Sequence, residues 1–473
     1  MKSFKGADKN IKSRGLFLLD LLCLSIANCV VFFLVEFYQT DSTFINYNAL
    51  FTNNVILTTV LTLTNLAVGL YDSKLRDTVR ALFRRVFVSA ALTFFLLELI
   101  VYPLSFIPGD AIYRAGTLPA LILAIFVIFY VRYLTLTSKI LGYAKKKVLV
   151  IGAGERASII QKRMRRIVDR KNFELLGFFA IEGDKTDELT NENIINMGSI
   201  DNLVAFVTEN DVDEIVIAPD ERRNTLPVDL LFECKIRGVE IVDILDFMEE
   251  ETGQIAVNLM YPSWVIYSNG FNSKNHLKET FDYLLNMFLA LFIFMFTWPL
   301  MVFTVIAIYL EDGRKNKASV FYKQVRVGIN GAPFSIYKFR SMRPDAEKNG
   351  AQWATQKDNR VTKVGAFIRK YRIDELPQLF NVFRGEMGFV GPRPERPEFV
   401  KELIKESPYY THRHNVRPGL TGWAQLKYPY GASKEDSIEK LKFDLYYIKH
   451  RSIMLDLLIL IRTVEIVLFG KGR

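Results

Sequence analysis

Apolar residues in this chain gather into long unbroken stretches rather than alternating with polar ones. Four such stretches lead it, at about Leu16 to Val35, Leu50 to Leu70, Val86 to Phe106 and Leu118 to Leu136. Each is near the ~20 residues that a helix rising ~1.5 Å per residue needs to cross a ~30 Å hydrocarbon core. The first is too long for the apolar part of a cleaved leader, carries Asp20 and lacks a small-residue cleavage site, so it reads as a span. Cations sort by loop. Lys2, Lys5, Lys9, Lys12 and Arg14 precede the first span, Lys74, Arg76, Arg80, Arg84 and Arg85 separate the second and third, and Lys139 and Lys145 to Lys147 follow the fourth. Residues 38 to 48 have none, and the loop before the fourth span has Arg114 alone. By the positive-inside rule both ends of the bundle face the cytoplasm.

The pattern changes at Lys146. Val148 to Ile151 reads as a buried strand and Gly152-Ala-Gly-Glu-Arg-Ala157 as a turn opening a helix that runs through Arg170, with further strands near Glu174 to Phe179, Glu214 to Ala218 and Glu240 to Val242. A Gly-x-Gly-x-x-Ala turn between strand and helix is the context in which backbone amides receive a pyrophosphate, making Gly152 and Gly154 a candidate nucleotide loop. The acid expected at the end of the second strand is out of place: Glu174 comes too early, Glu182 and Asp184 too late. Scaffolding and nucleotide binding both stay open. Residues 247–277, with Glu249 to Glu251 and then Asn269-Gly270, read as a linker.

A fifth apolar stretch, Phe281 to Leu310, would be ~45 Å long as a straight helix, more than a crossing requires. Lys274 and Lys278 precede it and Arg314, Lys315 and Lys317 follow, so a full crossing carries one cluster to the wrong face. Pro299 sits past its middle and removes a backbone donor there, which bends a helix. The stretch reads as a re-entrant membrane helix. The last apolar stretch, Ile453 to Phe469, is broken by Asp456, Arg462 and Glu465 and suits either an interfacial helix or one docked on a soluble core.

Composition narrows the class. In 473 residues, 50% are hydrophobic and 37 are Phe, as in membrane proteins; the net charge of +10 is carried beside apolar segments, so no nucleic acid is expected as a partner. The three cysteines have no paired spacing, and His412 and His414 alternate in a polar turn, which does not suggest a metal site.

The chemistry lies in Arg369-Lys-Tyr-Arg-Ile-Asp-Glu-Leu-Pro-Gln378 and Gly391-Pro-Arg-Pro394. Adjacent carboxylates, Asp374 and Glu375, stand in a field of arginines: Arg369, Arg372, Arg384 and Arg393. Guanidinium groups clamp phosphate oxygens in pairs, while a carboxylate attacks phosphorus or holds a metal, so the combination suits phosphoryl transfer. Asp374 is expected to open a helix over Leu376 to Phe383, with Pro377 tolerated in its first turn.

From Lys278 onward the chain resembles the polyprenyl-phosphate glycosyl-1-phosphate transferases, the bacterial sugar transferases. The match rests on Val320-Phe-Tyr-Lys-Gln-Val-Arg-Val-Gly328, Tyr337-Lys-Phe-Arg-Ser-Met342, Asp374-Glu-Leu-Pro-Gln378, Gly391-Pro-Arg-Pro394 and Arg417-Pro-Gly-Leu-Thr-Gly-Trp-Ala-Gln425, in that order. The resemblance implies that a UDP-sugar donates its sugar 1-phosphate to undecaprenyl phosphate in the bilayer, releasing UMP. It also implies that Asp374 is the nucleophile and that Glu375 assists with Mg2+ held by the pair. Lys338, Arg340, Arg369, Pro392, Arg393 and Pro394 are implied as donor contacts, as are Gln324 and Arg326. The product would pass to downstream glycosyltransferases; a homodimer is compatible with the chain, and the sugar is not named by it. Ala318-Ser319, Asn359, Glu386 and Gly388 depart from the family pattern, none within the acidic pair.

The expected fold is a membrane α-helical bundle of four spans within 1–140, then a Rossmann-like α/β domain over 146–246 and a linker over 247–277. A cytoplasmic, mostly α-helical α/β catalytic domain over 278–473 follows, led by the re-entrant helix 281–310 and ending in the interfacial helix 453–469. The expected location is the bacterial inner membrane. Two other functions fit parts of the chain: a nucleotide-sugar oxidoreductase or epimerase centred on Gly152 to Ala157, and a non-catalytic membrane scaffold for polysaccharide assembly.

Overall fold

The computed structural model describes residues 9–39, 47–71, 79–98, 114–137, 145–164, 173–181, 184, 200–221, 226–261, 264, 266, 268, 270–271, 276–314, 318–346, 360–428 and 433–468. They form two compact units, Met1–Thr252 and Gly253–Arg473.

Among the described residues the first unit opens with four helices where apolar stretches were expected: α1 (Lys9–Gln39), α2 (Tyr47–Ala67), α3 (Val79–Leu96) and α4 (Arg114–Thr137). Leu24, Phe32, Leu57, Leu61, Val86, Ala120 and Ile128 bury together between them. A polar seam joins the same helices: Asn28 Nδ2 donates to Thr58 Oγ1 at 3.0 Å, and Ser89 Oγ to Asn65 Oδ1 at 2.6 Å. Such bonds hold helices together where surrounding lipid gives no hydrophobic drive. Among the described residues of these four helices, α1 and α2 contain stretches long and apolar enough to cross a membrane, Gly15–Tyr38 and Tyr47–Ala67; a third such stretch, Asp282–Glu311, lies in the second unit. α3 and α4 supply shorter apolar runs, Arg85–Leu96 and Gly116–Val131. The expected third span continues to Phe106, and 99–113 lie outside the described residues.

The rest of this unit is a four-stranded parallel sheet of β1 (Lys146–Ile151), β2 (Phe173–Phe179), β3 (Glu214–Ile217) and β4 (Glu240–Asp243) in the order β2-β1-β3-β4. Three helices are interleaved with the strands: α5 (Glu155–Arg163), α6 (Leu203–Glu209) and α7 (Val228–Ile236). Val148 to Ile151 and Glu214 to Ile217 are buried on both faces, which explains why they read as unbroken apolar runs. α5 ends at Arg163 with Met164 as its cap, and 165–170, which the expected helix also covers, lie outside the described residues. The stretch read as a linker is structured through Leu259: α8 (Ile244–Thr252) buries Glu249 and Glu251, and Ile255, Val257 and Leu259 beyond it are buried in the second unit.

The second unit is built on α9 (His276–Ile308), a continuous helix with Pro299 inside, ending in a π-turn over Tyr309–Gly313. The antiparallel hairpin β5 (Phe321–Val327) and β6 (Pro333–Phe339) follows, then α10 (Lys363–Lys370), a 3-10 turn (Ile373–Gln378) and α11 (Leu379–Phe383). Next come β7 (Gly388–Val390), α12 (Pro397–Glu406), a 3-10 helix (Pro408–Asn415) and β8 (Gly419–Thr421), which pairs in parallel with β7. α13 (Trp423–Lys427), α14 (Lys434–His450) and α15 (Ile453–Leu468) complete it.

One stripe of α9 buries Ala290, Ile293 and Phe294 against Ile336, Leu379 and Phe389, and Met301 and Ile308 against Phe339, Ile368 and Ile373. Its other stripe, including Leu284, Phe288, Leu291, Met295, Trp298, Val302 and Ile306, is exposed. The spacing of three and four marks one helical face. α15 docks on this unit through Leu458 and Ile459, with Thr463 Oγ1 hydrogen-bonded to Thr421 Oγ1 at 2.6 Å, while Ile453 and Val464 stay exposed. It therefore combines the docked face with an apolar outer face.

Candidate active site

The acidic pair is placed by a reversal in the backbone. Thr362 caps α10 by accepting from Gly365 N at 2.9 Å, and Glu311 Oε1 accepts from Lys363 N and Val364 N at 2.8 and 3.1 Å. After α10, Arg372 adopts a left-handed conformation at φ 58°, which for a residue with a Cβ costs about 1–3 kcal/mol. Its guanidinium offsets this by donating to Glu375 Oε2 at 3.3 Å, where it closes the turn it begins. Ile373 and Leu376 enter the cluster beneath α9, leaving Asp374 and Glu375 between them on a tight 3-10 turn. The sequence places an α-helix over Leu376 to Phe383 with Pro377 in its first turn; the chain instead makes a 3-10 turn over Ile373–Gln378 that holds Pro377, and the α-helix begins at Leu379.

Glu375 is pinned from three sides. Its Oε1 accepts from Lys338 Nζ at 3.1 Å and Arg393 Nη2 at 2.7 Å, and its Oε2 from Arg372. Burial would raise its proton affinity, but Arg393, Lys338 and Arg372 outweigh that and hold it well below the usual carboxylate range. Asp374 is treated in the opposite way. Burial first, and then the Glu375 charge, push it above the usual range, only partly offset by Lys338, Arg372 and Arg369. It is 8% exposed, and its Oδ1 has no hydrogen-bond partner among the described residues. Two neighbouring carboxylates are thus split into a fixed charge and an unengaged oxygen, the division expected when a pair performs two roles.

The cations are themselves held. Lys338 lies on the inward face of β6 opposite Tyr322, and the same face of β5 carries Gln324 and Arg326. Arg326 donates to Gln324 Oε1 at 2.6 Å, Pro394 O at 3.1 Å and Glu395 Oε2 at 3.4 Å. It thereby ties the Pro392-Arg393-Pro394 loop to the hairpin. From behind, Arg413 donates to Arg393 O and Asp444 Oδ2, both at 2.8 Å, and to Tyr410 Oη at 2.5 Å. Asn381 is fully buried: Nδ2 donates to Ser335 O and Glu386 Oε2, both at 2.7 Å, while Oδ1 accepts from Tyr337 N at 3.2 Å. This side chain completes the free edge of the strand that carries Lys338.

Of the residues expected from sequence, Lys338 and Arg393 meet Glu375 directly, and Asp374, next to it, feels the charges of Lys338 and Arg369, which lower its proton affinity. Pro392 and Pro394 frame Arg393, and Gln324 and Arg326 form the layer behind. Arg340 is buried one residue past β6, on the Lys338 side by alternation. Arg384 departs from the clamp: it donates to Tyr337 Oη at 2.9 Å, on the face of β6 opposite Lys338. Gly152 and Gly154 belong to the first unit. Sequence reasoning missed Arg413, Tyr410, Asp444 and Asn381. Asp444 left one signal, an acid at the core stripe formed by Leu441, Leu445 and Ile448, which calls for a buried partner. Among the described residues no three His, Cys, Asp or Glu side chains cluster as metal ligands.

Two family patterns match the chain: bacterial sugar transferase over residues 274–470, and CoA-binding domain over 66–241. The chain is similar to the UDP-N-acetylgalactosamine-undecaprenyl-phosphate N-acetylgalactosaminephosphotransferase of Aeromonas hydrophila, 39% identical over 51% of this chain and 55% of the relative. It is similar to the undecaprenyl-phosphate glucose phosphotransferase of Komagataeibacter xylinus, 32% identical over 69% of this chain and 60% of the relative. The UDP-glucose:undecaprenyl-phosphate glucose-1-phosphate transferase of Escherichia coli is 30% identical over 68% of each chain. The chain spans a little over half the length of the first two. The pinned acidic pair and its basic frame fall within the sugar transferase match, and the chain belongs to the bacterial sugar transferase family.

Proposed function

We propose that this chain transfers sugar 1-phosphate from a UDP-sugar to undecaprenyl phosphate, releasing UMP and forming undecaprenyl-diphospho-sugar, the first membrane step of exopolysaccharide, O-antigen or capsule assembly. The observation that carries the proposal is the buried, unpartnered Asp374 Oδ1 beside a Glu375 held by three cations. A carboxylate with no hydrogen bonds to lose is a strong nucleophile, and anionic phosphates need cations near it. Asp374 attacks the sugar-bearing phosphorus, the bond to the bridging oxygen breaks, and UMP leaves with that oxygen. Undecaprenyl phosphate, already anionic at neutral pH, then attacks the same phosphorus and releases Asp374. No net proton moves.

Asp374 Oδ1 also suits a divalent cation, which binds through one or two carboxylates together with substrate phosphates and water. Asp374 would hold Mg2+, with Glu375 beside it, and the ion would neutralise charge on the transferred phosphoryl group. The cytoplasmic inner-membrane setting rests on α9, both ends of which are tied to one protein body. Asp282 pairs with Arg451 at 2.7 Å near its start, Asn286 Oδ1 accepts from Phe389 N at 2.7 Å, and Glu311 caps α10 past its end. A helix with both ends on one body and an apolar stripe facing outward stays on one side of a bilayer, which supports re-entry over a crossing and lets donor and lipid meet at the headgroups.

The test is UMP release from UDP-glucose, UDP-galactose and UDP-N-acetylgalactosamine by detergent-solubilised protein with undecaprenyl phosphate and Mg2+. Release with one or two donors that falls to background in Asp374→Asn is the expected result. Folded protein that releases UMP from none of them would refute the assignment and favour a scaffold.

A further inference from the structure

The turn after β1 has the sequence of an anion cradle, yet the amides of Gly152, Ala153, Glu155 and Arg156 are already engaged. Glu155 N and Arg156 N, the first amides of α5, donate to the two carboxylate oxygens of Asp220 at 3.0 and 2.9 Å. Ala153 N donates to Asp184 Oδ2 at 2.8 Å, which also accepts from Ile181 N at 3.0 Å, while Asp184 Oδ1 accepts from Asp220 N at 3.2 Å. Two carboxylates therefore lace together the loops that follow β1, β2 and β3. This is the C-terminal edge of the sheet, at the reversal in the order β2-β1-β3, where an open parallel sheet takes its ligand.

Space and charge agree. A Cβ on Gly154 would lie 1.9 Å from Asp220 Oδ2, and one on Gly152, at φ +117°, 2.4 Å from Ala218 O. The glycines permit close approach of the protein's own β3 loop, whose Asp220 carboxylate takes the place at these amides that a pyrophosphate would need. Helix N-termini favour a negative group, and here Asp220 supplies it; a phosphate would have to displace one anion and sit beside another. Asp184, the acid that came too late for a ribose, is turned to backbone amides instead. The residues present do not fit the coenzyme that the matched domain description implies.

We propose that this domain has closed its nucleotide cradle with Asp220 and Asp184, and takes neither coenzyme A nor a dinucleotide through that loop. It acts as a structural unit whose resident anion is Asp220. The proposal is independent of the transferase reading, because it concerns a loop in the other unit.

Hydrogen–deuterium exchange of full-length, detergent-solubilised protein tests it at a defined place, the peptide covering residues 152–157. Coenzyme A, NAD+ and pyrophosphate are each expected to leave wild-type exchange there unchanged, whatever phosphates do at the transferase site. In Asp220→Ala the Glu155 and Arg156 amides lose charge-assisted bonds and should exchange roughly ten-fold faster or more, with pyrophosphate restoring protection. Should that variant not accumulate, Asp220→Asn, which sets a donor against one amide, carries the same expectation. Protection of 152–157 in wild type by coenzyme A or NAD+ would overturn the proposal. So would an Asp220 variant that exchanges like wild type.

Discussion

Arg393 contacts Glu375 through its guanidinium, but what holds its backbone is a buried ion pair some distance along the chain. Arg413 and Asp444 are 6% and 3% exposed, and Arg413 reaches Arg393 O as well as Asp444. Removing one partner of a buried pair strands the other, at a cost of about 3–5 kcal/mol. Asp444→Asn is therefore expected to lower the melting temperature and to raise KM for the UDP-sugar more than it lowers kcat, because Asp374 keeps its place while the loop bearing Arg393 loosens. A kinetic split between the two constants checks this; an unchanged KM would make Asp444 structural only. A second residue reports on pH. His414 packs edge-on against Tyr410, and burial, then the Arg413 charge, push its pKa from 6.5 down to about 4. The unfolded chain takes up the proton near 6.5 and the folded chain only near 4, so the His414 contribution to stability is complete above that window and falls as pH drops through it. Thermal unfolding of wild type and His414→Gln should therefore converge from pH 7 toward pH 4, the wild type losing stability more steeply.

At the scale of elements, the sequence was readable wherever one segment carries its own signal. Apolar length marks α1, α2 and α9, doubly buried strands mark β1 and β3, and the dense basic motif marks the acidic turn. Partners distant in sequence were not readable, because periodicity says which face is buried and not against what. Asn381 completing β6 from 46 residues away and Arg413 meeting Asp444 across 31 are of this kind. The left-handed Arg372 escaped for another reason: its strain is offset by Glu375, which propensity does not register. For α9 the two levels combine. Its length and flanking cations predict re-entry, and its ends meet one body through Asp282 and Glu311. Single cysteines replacing Glu279 and Arg314, with Cys23, Cys29 and Cys234 changed to Ser, should both react with a membrane-impermeant maleimide in inverted vesicles and in neither case in right-side-out cells. Labelling from opposite sides would make α9 a true span.

At the scale of the whole molecule, the boundary between units decides what can function by itself. Motif density begins near Lys278 and places a linker before it, but the second unit starts at Gly253. Gly253 O accepts from the buried Trp423 Nε1 at 2.8 Å, and Ile255 N donates to Lys442 O on α14 at 3.0 Å. Ile255, Val257, Leu259 and Trp264 are nearly fully buried, and Lys449 Nζ lies 4.4 Å from the Trp264 ring centroid. Each such side chain contributes about 1.5–3 kcal/mol by burial, an upper estimate because unfolded chains are partly compact. The same α14 bears Asp444, so this strap supports the helix that holds Arg413 and, through it, Arg393. Residues 253–473 in detergent are therefore expected to release UMP at a rate within a few-fold of the full chain, whereas 278–473 leaves Trp423 Nε1 without Gly253 and should unfold at a lower temperature with weaker donor binding. Equal melting temperatures and donor KM for the two fragments would show that the strap is an appendage and that the site is complete without it.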